Sequence, residues 1–137
     1  METNTIETAL AKGKVYPETS ILIGMVLGGP LAAVYMFISN RRTMNMPVNA
    51  PKIWVLSIAG LIALIGLSSF IPREGVGGGI AVGLLIGTRG YINATHAPAL
   101  NKYLSEGGEK YPITRVIAIG IISLIATVAL IAPFALL

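Results

Sequence analysis

Polar and apolar positions in this chain separate into long blocks rather than short alternations. Four runs carry no charged residue: Thr19–Asn40, Ile53–Pro72, Gly75–Thr88 and Val116–Leu137. The first holds 22 residues. As a helix it rises about 33 Å, enough for a hydrocarbon core of about 30 Å. Pro17, Glu18, Thr19 and Ser20 give it start signals, with the acid placed where the helix dipole favours it. Asn40, Arg41 and Arg42 end it. Within it Pro30 removes an amide donor and crowds the carbonyl of Val26, so a kink is predicted over Val26–Pro30.

The second run has 20 residues, with Lys52 and Trp54 as interface anchors at one end. The third is shorter. Its 14 residues between Glu74 and Arg89 rise only about 21 Å. It spans if the helix continues through Tyr91 and Ala94 while Arg89 snorkels to the headgroups. A glycine-rich re-entrant loop is the alternative. A polar segment over 98–112 follows, predicted as a helical extension broken near Pro98 and stopped at Gly107, with Leu100, Tyr103 and Leu104 on one apolar face. The last run starts behind Pro112, which suits a first helical turn, and is expected to end at or within the bilayer. The first run lies behind a polar leader with no small-residue cleavage site after it, so it is not read as a cleaved signal.

The pattern predicts an all-α membrane protein. Residues 1–137 form a single transmembrane domain, a bundle of about four transmembrane helices over about 20–40, 53–72, 75–97 and 114–136, the third short and glycine-rich. Composition agrees: 54% of residues are hydrophobic, 12% are charged and mean hydropathy is +0.77. Soluble domains are about one quarter charged. Without cysteine there is no disulfide, thiolate nucleophile or Cys-type zinc site, and one histidine with no aspartate leaves little for a metal. No metal and no cofactor are expected.

The net charge of +4 does not indicate nucleic acid, because the basic residues are scattered and only Arg41 and Arg42 are adjacent. Four spans divide them seven against three. Arg41, Arg42, Lys52, Arg89, Lys102, Lys110 and Arg115 fall on one side, Lys12, Lys14 and Arg73 on the other. The positive-inside rule makes the first set cytoplasmic, giving a multi-pass protein of the bacterial inner membrane with both termini outside.

Gly75, Gly79, Gly83 and Gly87 recur every four residues, as do Gly24, Gly28 and Ala32. Small residues at that spacing let backbones approach in lipid, so these positions are read as a seam. It joins the first span to the third, or this chain to another membrane subunit or a second copy. Arg89 and His96 are the ion or anion candidates. Snorkelling accounts for the first and an interfacial location for the second. Tyr35 and Asn40 are suited to bonding the carbonyl freed by Pro30 or capping the helix end. Tyr16, Tyr91, Tyr103, Tyr111 and Trp54 read as an aromatic belt. No catalytic residue is assigned, since His96, Ser105 and Glu106 have no spacing that assembles a reactive group.

The Tyr16–Glu18 start, the run Gly28-Gly29-Pro30-Leu31-Ala32-Ala33 with Tyr35 and Asn40 after it, and the Gly107-Gly108 turn together resemble a group of small multipass membrane proteins of Bacteroidota-type bacteria. The Gly75–Gly87 stretch is richer in glycine than that group. The resemblance implies a multipass fold and carries over no activity or site residue. The functional expectation is a non-enzymatic structural or accessory subunit of a larger membrane assembly, partnered by lipid and by other subunits or copies of itself. A small transporter or channel, with a cavity lined by Ser57, Ser68, Ser69, Thr88 and Arg89, is the alternative. An inhibitor or immunity-type membrane protein is a third reading.

Overall fold

Gly29 sets the course of the first third of the chain. Its backbone, at φ 75° and ψ −168°, occupies a region essentially reserved to glycine. Pro30 then opens a new helix, where it has no intrahelical N–H to lose. The computed structural model, which describes residues 13–68, 70 and 76–136, therefore shows two helices where one kinked helix was predicted. α1 (Glu18–Gly28) and α2 (Pro30–Thr43) fold back on each other as a hairpin. Gly24 lies so close to Met36 that a Cβ there would strike the Met36 methyl. In a continuous helix those residues would stand about 18 Å apart. At the open end Tyr16 and Asn40 exchange two hydrogen bonds.

The chain leaves α2 through Asn45, whose positive φ of 54° lets the Met46 N–H reach back to the Arg41 carbonyl at 2.8 Å. Asn49 caps α3 (Ala50–Ser68) by accepting the Lys52 N–H on its side-chain oxygen. α4 (Val76–Thr95) returns over 20 residues, about 30 Å. His96 separates it from the short α5 (Ala97–Ser105), on which Leu100 is buried. Gly107, at φ 93°, stops α5. Pro112 then leads into α6 (Ile113–Ala135). Among the described residues two helical stretches, Ala50–Leu67 and Ile113–Pro133, are long and apolar enough to cross a membrane.

α1 and α6 make the most extensive helix pair. Gly28 faces Gly120 and Ser123, placing the hairpin tip beside the middle of α6, where the Thr127 hydroxyl donates to the Gly28 carbonyl at 3.4 Å. The first span does touch the third segment, through Ile21 and Met25 beside Ile92, but its small residues face elsewhere: Gly24 and Gly28 meet α2 and α6, and Ala32 is buried. The core joins Tyr16, Ile21, Met25, Ala33, Met36, Ile92 and Val116, contributed by both hairpin arms, α4 and α6.

The open end of the hairpin, the last turns of α4 and the first turn of α6 share one end of the molecule. There β1 (Lys14–Val15) pairs in parallel with β2 (Glu109–Lys110), setting Lys14 opposite Glu109 and Val15 opposite Lys110. Lys14 and Lys110 are therefore neighbours. This overturns the charge count, which put them on opposite sides because it treated 20–40 as a full crossing. Every described lysine and arginine falls toward this end; Lys12 and Arg73 lie outside the described residues.

Candidate functional site

The hairpin base holds a buried polar clasp. Tyr16 and Asn40 are each fully buried, and the Tyr16 N–H donates to Asn40 Oδ1 at 2.7 Å. Because that N–H can only donate, the Asn40 oxygen faces it and the amide nitrogen faces the other way. Asn40 Nδ2 donates to the Tyr16 carbonyl at 2.7 Å and lies 3.1 Å from His96 Nε2. His96 Nε2 must accept there, so its proton resides on Nδ1. Nδ1 is buried without a hydrogen-bond partner among the described residues. One side chain thereby ties the start of α1, the end of α2 and the α4–α5 junction.

Aromatic and cationic groups surround the clasp. The Tyr16 ring stacks on Tyr111 at 4.4 Å, and Arg115 donates from Nε to the Tyr16 hydroxyl at 2.8 Å while its guanidinium lies 4.2 Å from the Tyr111 ring centre. Burial pushes the Tyr16 phenol up, against the pull of Arg115. Phe37 contacts the His96 ring at 4.9 Å and Tyr91 at 5.9 Å, and carries Arg41 over its face at 5.4 Å. With the Asn93 amide turned nitrogen-first, it donates to the Glu18 carboxylate at 2.7 Å.

Burial first, and the Arg41 charge second, hold the His96 pKa at about 4 instead of 6.5. Above about pH 6.5 neither the folded nor the unfolded chain binds a proton there. Between about 6.5 and about 4 only the unfolded chain does, so stability falls as pH falls through that window. The loss levels off near 3 kcal/mol on an order-of-magnitude basis, about 1.4 kcal/mol per pKa unit. Thermal unfolding in mild detergent is therefore expected at lower temperature near pH 4.5 than near pH 7. His96→Gln, which keeps an acceptor but cannot titrate, should flatten that slope; equal slopes would exclude His96 as its source.

Beside the clasp, α1, α2, α3 and α4 border a groove of about 260 Å³ whose walls include Met25, Val34, Phe37, Ile53 and Tyr91. Ser57 and Thr88 line it too, as the transporter expectation required, but the Ser57 hydroxyl donates to the Ile53 carbonyl at 2.7 Å. Arg89 is exposed and lines none of the described grooves. Ser69 and Gly75 lie outside the described residues, as does the Ser68 side chain. A Cβ added at Gly79, Gly83 or Gly87 would meet no atom within 4 Å, so that face of α4 packs on nothing described in this chain. Among the described residues no three His, Asp or Glu side chains group to hold a metal.

Asn40 was legible as a polar residue near Pro30, whereas its partners 24 and 56 positions away were not. The pairing of Arg115 with Tyr16 left no mark in the sequence beyond an aromatic residue and a cation at helix starts. No protein-family model, curated protein or solved structure matches the chain.

Proposed function

We propose that the protein is a membrane-embedded, non-enzymatic subunit that docks into a larger assembly, or onto a second copy, through the glycine face of α4. The observation that carries this reading is the open space at Gly79, Gly83 and Gly87, the last two lining an apolar groove together with Leu64, Ile80 and Leu84. In lipid, helices associate through close van der Waals contact, and a bare glycine face permits it. α3, α4 and α6 cross the bilayer on this reading, and the α1–α2 hairpin enters about halfway. Its non-helical turn is covered by α6, which is how such backbone is tolerated at membrane depth. The charge bias assigns the basic end to the cytoplasmic side.

Gly83→Leu tests the docking face. No described atom obstructs the start of the new side chain. Helical content and thermal stability should stay within about 1 kcal/mol of the original, or rise through better helix propensity. Partner retention during gentle detergent purification should be lost. A wild-type protein that purifies as a lone monomer would refute the subunit reading.

A small transporter or channel is the second reading, favoured by the broken hairpin beside the middle of α6. The groove behind it is lined mainly by apolar side chains, with Ser57, Thr88 and Tyr91 the polar exceptions. That weighs toward the subunit.

A further inference from the structure

The groove among α1, α2, α3 and α4 has an apolar wall, and one wall residue, Phe37, carries a cation over its face. Its volume of about 260 Å³ exceeds the roughly 150 Å³ of an apolar cavity that takes up benzene. Ser57 adds little polarity, because its hydroxyl is bound to the Ile53 carbonyl. Phe37 links wall to rim: it lines the groove and carries the Arg41 guanidinium over its face. Arg41 is held there by its Nε, which donates to the Pro47 carbonyl at 3.1 Å across the turn that Asn45 makes. That leaves the two terminal nitrogens for another acceptor. Among the described residues no carboxylate pairs with Arg41; the ion pair at this end of the molecule joins Lys14 to Glu109 at 3.9 Å.

An amphiphile with a negative head and an apolar chain complements both halves. We propose that the groove holds one acyl chain of a phospholipid whose anionic headgroup sits against Arg41. Arg over an aromatic face beside a greasy slot is suited to a phosphodiester, since the guanidinium offers a planar fork of donors. Arg42, one residue on and exposed, carries the same charge, but the cation over Phe37 is Arg41. The inference rests on the membrane-embedded reading.

The test is native mass spectrometry of the full-length protein, delipidated in a neutral detergent and offered phosphatidylglycerol or phosphatidylcholine. One phosphatidylglycerol per chain is expected to be retained about tenfold better than phosphatidylcholine. Arg41→Gln should erase that preference, a tenfold loss being about 1.4 kcal/mol. Arg42→Gln should stay within about twofold of the original, since a rim charge off the site contributes little. Ser57→Phe, on the sparsely packed α3, should block the groove and lower retention of both lipids. Equal retention of the two lipids, equal losses from Arg41→Gln and Arg42→Gln, or unchanged retention in Ser57→Phe would each overturn the inference. A protein that needs detergent yet retains no phosphatidylglycerol overturns this site alone. One that stays dissolved without detergent overturns the membrane reading as well.

Discussion

Asn40→Ala is expected to destabilise the fold by about 3–6 kcal/mol, because it strands three buried groups at once. The Tyr16 N–H, the Tyr16 carbonyl and His96 Nε2 each lose the partner they have. A buried polar group left unpaired costs about 1–3 kcal/mol. The three share one amide, so the sum is not strictly additive. Asn93→Ala is the comparison. Asn93 also makes a polar contact, to Glu18, but it is exposed and water replaces the lost bond. Its expected cost is below about 1 kcal/mol. Thermal unfolding followed by circular dichroism in mild detergent measures both. Similar midpoints for the two variants would mean that the clasp contributes no more than a surface contact.

Gly28→Leu is expected to separate α1 from α6. A Cβ at Gly28 would run into the Gly120 carbonyl oxygen and come within 2.8 Å of the Gly120 Cα and the Ser123 Cβ. Two of those three obstacles are backbone, so no rotamer change relieves them and a helix must move. Overpacking a close crossing costs about 3 kcal/mol or more. Gly60→Ala on α3 provides the contrast, with no atom within 4 Å of the added carbon. There the substitution should stabilise, by up to about 1 kcal/mol, through helix propensity. If Gly28→Leu unfolds no earlier than the original protein, the glycine contact between α1 and α6 is not what seats the hairpin.

Residues whose partners lie within one helical turn were readable in advance, and those whose partners lie far along the chain were not. Pro112 marked the start of α6 and Gly107 the stop of α5, because each acts through its own φ or its own position at a helix end. Pro30 was legible as a disturbance. Whether a Gly-Gly-Pro disturbance bends a helix or reverses it depends on what waits to receive the folded-back arm. Here that is Gly120 and Thr127, almost a hundred residues later. The same distance hid the pairing of β1 with β2, since two residues have no period to read. The error in the charge count followed directly from the unread reversal. His96 offered nothing but its rarity, and its partner Asn40 lies 56 positions away.

The hairpin tip has a consequence for the order of biogenesis. Its turn is walled by α6, which leaves the ribosome about a hundred residues after it. At about 5–20 residues per second, roughly 5–20 s separate the synthesis of Gly29 from that of Thr127. For that interval the sharpest bend in the chain has no wall, and the Gly28 carbonyl has no donor from α6. The hairpin can acquire its final shape only when α6 arrives. A chain lacking α6 would therefore not be a smaller version of this protein: the α1–α2 hairpin is completed by a helix made much later.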